Sequence, residues 1–358
     1  MKKISIIILI LIILGVGFWF FYSGKKILIK KDVVGDSAVI ELSGDKEEVV
    51  KNGKQNNLSG IFCENYDRRP FAVMYAGDAV ARPLSGIASA DLVVEAQVIT
   101  GSITRMMAIF TCGDPSQIGS IRSARHDFIP LAQGFDTIYV HWGGSHFALE
   151  QLRQKVMNNI DALTNPFNVF YRDESIPAPH NGFTSTEKIE NTSQKLGYRM
   201  KSKFEGYLFQ SGEDIKNNMA EKDSCASLKK YCSLNIFYSG VYKVSYDYDF
   251  QNNSYLRYRG GKVEVDKLED KKVEAKNVIA MIAKSRQVEG QYNDIDVEGG
   301  GKAIIYQNGR EIKGTWKKDE LNKQSKLTFF SESGQEIKFV PGQIWIEIVD
   351  PSQKILWI

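Results

Sequence analysis

Histidine and cysteine are both scarce in these 358 residues, four of each, and the formal net charge is only +3. Each shortage removes a class of function. So small a charge, with no basic run interleaved with aromatics, gives no electrostatic case for a nucleic-acid partner. No Cys-x-x-Cys pair occurs among Cys63, Cys112, Cys225 and Cys232, so a structural zinc site is not expected. No cysteine lies in or just after the N-terminal apolar segment, which removes lipid attachment there, and no A-x-A-like site follows it to mark a cleaved signal peptide. No glycine closes Gly143-Gly144-Ser145-His146-Phe147, so Ser145 is not the serine of a nucleophile elbow.

What is present begins with residues 4–22, uncharged and rich in Ile and Leu, ending in Phe18-Trp19-Phe20-Phe21-Tyr22. That length spans a bilayer, and closing aromatics suit its interface. A single-pass transmembrane helix in the cytoplasmic membrane is therefore expected within residues 1–24. Lys25, Lys26, Lys30 and Lys31 outnumber Lys2 and Lys3, and by the positive-inside count alone the body would be cytoplasmic. Residues 25–57 are polar and read as a flexible linker.

The body, 43% hydrophobic and 25% charged over the whole chain, is long enough for two globular domains. Residues 58–207 read as an α/β domain, a mixed sheet with flanking helices. Phe71 to Ala76 is a buried strand. Leu92 to Ile99 and Ile103 to Thr111 form a hairpin, for which a three-residue turn keeps one face apolar and makes Glu95 and Arg105 neighbours. Thr184-Ser185-Thr186-Glu187 is a capping box for a helix ending at Gly197. Residues 208–358 read as a mainly-β domain, with hairpins around Gly260-Gly261 and Asn308-Gly309, another over Leu327–Val340, and a last strand over Ile344–Val349. Its tyrosines, Tyr238 to Tyr258, are sheet-core residues before they are sugar-stacking ones. An even cysteine count fits an oxidising compartment, with Cys225–Cys232 the expected bond and Cys63–Cys112 left open.

The stretch from Ile121 to Glu150 organises the first domain. It holds His126, His141 and His146, with His180 just downstream, and Arg122 and Arg125. A strand ending at His141 leads through Gly143-Gly144-Ser145 into a helix capped by Ser145. Ser123 would open a second helix. A helix N-terminus offers unpaired N–H groups and the positive end of a dipole, so phosphate or carboxylate is the natural guest.

Several strings, in order, are similar to the YerB-like family of uncharacterised extracytoplasmic bacterial proteins. They are Arg69-Pro70-Phe71-Ala72-Val73-Met74, Ala81-Arg82-Pro83, Ala90-Asp91 with Glu95, Ile103-Thr104-Arg105 and Arg122-Ser123-Ala124-Arg125. Then come His141 with Gly143-Gly144-Ser145, Ala178-Pro179-His180-Asn181, and, later, Gly301-Lys302-Ala303, Gly314 with Trp316, and Pro341-Gly342 with Trp345. The resemblance covers residue 58 to the end and implies a two-domain body outside the membrane, against the lysine count. It implies no reaction. Two departures stand out. A membrane helix replaces the lipid-bearing cysteine, and Thr100 and Ser102 stand where an acidic residue and a glycine are expected.

Three readings follow. In the first, Arg105, Arg122, Arg125, His141, Gly143, Gly144, Ser145, His180 and Asn181 line one cleft for an anionic envelope ligand: a phosphorylated glycan, a teichoic-type polymer or a muropeptide. In the second, an envelope hydrolase or transferase uses His141 or His180 as base with Asp91 or Glu95 as acid. A scaffold that recruits an envelope protein partner is a third. No cofactor or metal is expected, since His141, His146 and His180 match no standard ligand spacing.

Overall fold

Near-continuous apolar runs, not alternating ones, build the centre of this molecule. In the computed structural model, which describes residues 53–220, 232–290 and 292–358, Phe71–Ala76 (β1), Leu92–Gln97 (β2) and Thr104–Phe110 (β3) are buried at every position. So is Ile138–His141 (β4), which runs parallel to β1 and to Asn159–Asp161 (β5). The C-terminal half supplies Asn277–Ile282 (β6), Gly299–Gln307 (β7), Arg310–Lys318 (β8), Thr328–Ser331 (β9) and the fully buried Ile344–Val349 (β10).

These strands form one ten-stranded sheet in the order β9-β8-β7-β6-β10-β2-β3-β1-β4-β5. The join is β10 against β2, parallel, Ile344 opposite Leu92. The α/β and mainly-β halves read from the sequence thus share a sheet, and β10 is central in it. Nor is β10 last, because Ile355–Trp357 follows and pairs with Ser233–Ile236.

Strands bury both faces when both are covered. On one face lie the helices Phe128–Gly134 (α1) and His146–Arg153 (α2), through Phe128, Ile129, Leu131, Ala148 and Leu152. On the other lies a smaller antiparallel sheet containing Val244–Asp249 and Ser254–Arg259, together with Ile189 of helix Thr186–Lys195 (α3). Tyr238, Tyr246, Tyr248 and Tyr255 are core residues of that layer.

With both faces covered, the β2–β3 hairpin takes a different register from the one the charge pattern predicts. Glu95 lies opposite Met106, and Arg105 opposite Ala96. Val98 N donates to Ile103 O at 2.9 Å, so the loop has four residues and the register slips by one from the three-residue reading. Glu95 and Arg105 therefore point to opposite faces. With no wet face, keeping the charges on one side was no guide. The two tight hairpins form as read: Arg259 pairs with Lys262 and Gln307 with Arg310.

Ser145 caps α2, its side chain accepting from Ala148 N at 3.2 Å. Ser123 caps nothing, for α1 starts later, at Phe128, behind Asp127. Ser185, not Thr184, caps α3. The body begins slightly before Leu58, since Lys54–Gln55 pairs with Phe62–Cys63. Cys63 and Cys112 are disulfide-bonded, and Cys232 is bonded too, while Cys225 lies outside the described residues. Among the described residues no helix is long and apolar enough to cross a membrane; the expected anchor, residues 4–22, lies outside them.

Candidate functional site

Beyond the carboxyl ends of β1 and β4 the chain from Ile118 to Asp127 crosses the sheet edge, the usual place for a ligand in open α/β sheets. Arg122 is pinned there between two strands. Its N–H donates to Met74 O at 2.8 Å, and its carbonyl accepts from Trp142 N at 3.0 Å. The loop carrying His180 is drawn in beside it. Ile121 N donates to Gly182 O at 2.8 Å, Arg172 holds the Asn181 side chain at 2.6 Å, and Arg122 Nη1 donates to Pro179 O at 3.2 Å.

Arg105, at the start of β3, joins this group with Asp78, its ion-pair partner at 3.0 Å. Burial pushes the Arg105 guanidinium down to about 10; Asp78 opposes the fall, and Arg122 and Arg125 add to it. His180 is lowered by partial burial and by Arg122 and Arg105, with Asp78 opposing. Three guanidinium groups thus act on one another, with Asp78 paired to Arg105 and Asp127 acting on Arg125 from farther away. Among the described residues, no carboxylate lies within 4.0 Å of Arg122 or Arg125. The Nε atoms of Arg105, Arg122 and Arg125 and the His180 Nδ1 are buried and have no hydrogen-bond partner. A buried donor without a partner costs about 1–3 kcal/mol, so paired cations would be the cheaper arrangement for a purely structural cluster.

The other expected members are placed differently. His141 is 1% exposed; its Nδ1 contacts Gly143 O at 2.8 Å and its Nε2 lies 3.3 Å from Asn159 Oδ1. It borders a separate cavity with Asp161 and Tyr198. The Gly143 N–H is taken by Asp161 at 2.8 Å and the Ser145 N–H by Ala124 O at 3.1 Å. Gly144 is packed tightly, since a Cβ there would meet Ala124 and Leu149 at 3.2 Å. The Gly143-Gly144-Ser145 turn therefore ties α2 to the sheet and has few N–H groups left for an anion.

The carboxylates expected as acids are occupied as well. Asp91 accepts from Ser59, Thr111 N and Cys112 N. Glu95 lies between Arg257 and Arg259 in a sealed network with Glu264, Glu347 and Arg82. Arg257 also stacks over Trp345, 3.9 Å from the ring centroid. His141, His180, Asp91 and Glu95 are each held by a different set of partners and form no catalytic constellation. His146 is exposed and faces Glu289 at 3.2 Å.

Two members were not assigned from sequence. Asp78 is an ordinary loop aspartate until β3 places Arg105 beside it. Tyr242, which senses Asp78 and Arg105, comes from the other half of the chain, and no local pattern points to it.

Comparison with known proteins accords with this architecture. Residues 58–199 match the "Protein of unknown function (DUF3048) N-terminal domain" and residues 234–346 the corresponding C-terminal domain. The chain is 33% identical over 295 residues to the Bacillus subtilis (strain 168) protein named "Putative lipoprotein YerB", covering 82% of this chain and 85% of that one. The crystal structure of YerB protein from Bacillus subtilis superposes with a TM-score of 0.72 at 30% identity, over 85% of this chain and 99% of the other. Both family domains and a full-length relative agree, and the chain belongs to the YerB-like, DUF3048 family.

Proposed function

We propose that this is a membrane-anchored extracytoplasmic protein of the cell envelope whose arginine cleft binds an anionic envelope component. The observation that carries the reading is the pair Arg122 and Arg125, half-buried and buried, with no carboxylate within 4.0 Å among the described residues. With Arg105 they gather positive charge that Asp78 and the more distant Asp127 offset only in part, and a phosphate or carboxylate would reduce the excess. Guanidinium groups recognise such anions by paired, charge-assisted hydrogen bonds. His180 and Asn181 border the site from the loop side. His141 and the Gly143-Gly144-Ser145 turn support it from behind. Candidate ligands are a phosphorylated glycan, a teichoic-type polymer or a muropeptide carboxylate.

The Cys63–Cys112 bond, the apolar residues 4–22 and the lipoprotein name of the relative all favour the outer side of the membrane. Protease added to intact spheroplasts is expected to remove the body; full protection would place it in the cytoplasm. Binding to envelope fractions is expected for the wild type and to be lost in Arg122→Ala and Arg125→Ala. Equal retention of wild type and variants would sink the cleft.

A further inference from the structure

Behind Arg125 the same segment turns and presents His126 and Asp127 to a different space. This cavity, about 870 Å³, is bordered by Asp294, Asp296, Glu298 and Gly299-Gly300-Gly301. His126 Nε2 lies 3.5 Å from Asp127 and 3.4 Å from Asp294 Oδ1. One donor atom from each of the three residues falls within 4.8 Å of the others. Ligands about 2.0–2.1 Å from a tetrahedral ion stand roughly 3.3 Å apart, and trans ligands of an octahedral ion about 4.2 Å. The two spacings from His126, 3.5 and 3.4 Å, fall in that span.

A second observation separates this triad from an ordinary acidic patch. Asp127 is 4% exposed, and its Oδ2 has no hydrogen-bond partner. Its other oxygen is fixed by the Ile295 N–H at 2.9 Å. Asp294 is held too: Arg286 takes Oδ2, leaving Oδ1 toward His126. Both carboxylates are thus oriented by an outer partner, as metal ligands commonly are; in Asp127 the held oxygen, Oδ1, is also the one nearest His126, and Oδ2 is unclaimed.

We infer that His126, Asp127 and Asp294 form a site for a divalent first-row metal of the zinc or manganese class. One imidazole with two carboxylates is a mixed nitrogen and oxygen set, softer than the all-oxygen shells of calcium and magnesium. The remaining coordination positions face the cavity. The site needs both halves of the chain, since Asp294 arrives from the segment after β6.

Calorimetry on the chelator-treated full-length protein, with Zn2+, Mn2+ and Mg2+ added separately, tests the assignment. Zn2+ or Mn2+ is expected to bind one ion per chain, more tightly than Mg2+, and to raise the melting temperature. Asp127→Asn keeps the Ile295 contact and should fold, yet weaken binding at least about tenfold and abolish the thermal shift. His126→Ala should do the same. No binding, preference for Mg2+, or binding unchanged in both variants would overturn it.

Discussion

Glu95 shows what a single buried charge does in this fold. Burial alone would raise its carboxyl, but Arg259 and Arg257 outweigh that and bring it down to about 2. A depressed folded value means stability that is complete above the unfolded value and lost as pH falls through the folded one. Thermal melts should therefore lose stability between about pH 4.5 and pH 2, and Glu95→Gln should flatten that limb. The same variant leaves two arginines with less negative charge, and a loss on the order of 3–5 kcal/mol at pH 7 is expected from denaturant titration. His180 has the opposite direction of use. Its lowered value keeps it neutral at pH 7, so anion affinity should rise on acidification, and His180→Ala should remove that rise. The residue types at this site were legible, because histidines crowd between His126 and His180 and Arg122 and Arg125 adjoin one another. Their orientation was not. Whether a histidine such as His141 faces a cleft or a core depends on which partners, here Gly143 and Asn159, claim its ring nitrogens.

Elements were readable where turn chemistry forced them. Asn308 and Gly309 both have positive φ, 55° and 70°, which suits a two-residue hairpin and little else. A Cβ on Gly309 would also sit 2.4 Å from the Tyr248 ring. Gly309→Ala should therefore cost on the order of 1–3 kcal/mol in urea unfolding, strain and clash together. The β2–β3 hairpin offered no such signal. Thr100-Gly101-Ser102 permits more than one loop length, and burial on both faces removed the pattern that would choose between them. The Gly143-Gly144-Ser145 turn joins strand to capped helix, as its residues dictate. Its N–H groups are satisfied by Asp161 and Ala124, contacts that no local reading supplies.

At the scale of the whole molecule, β10 against β2 decides the architecture. A parallel pairing between the last part of the chain and an early strand leaves no mark in hydrophobic period, so the two halves read as separate domains. Expressed alone, residues 58–207 would expose the β2 edge and the apolar faces of Leu92 to Ala96. That fragment should aggregate or lack a cooperative melt, whereas the full body melts in one transition. The same closure brings Tyr242 to the arginines and sets Asp294 beside His126. The central claim concerns the cleft, and calorimetry reads it most directly. Inorganic phosphate, a phosphorylated glycan and its neutral counterpart are titrated into the wild-type body and an Arg122→Ala, Arg125→Ala double variant. The expected result is binding of the anionic ligands alone, weakened by at least about tenfold in the variant, as loss of a charge-assisted hydrogen bond worth about 1.5–3 kcal/mol requires. Equal affinity for the charged and neutral glycans, or unchanged binding in the double variant, would contradict it.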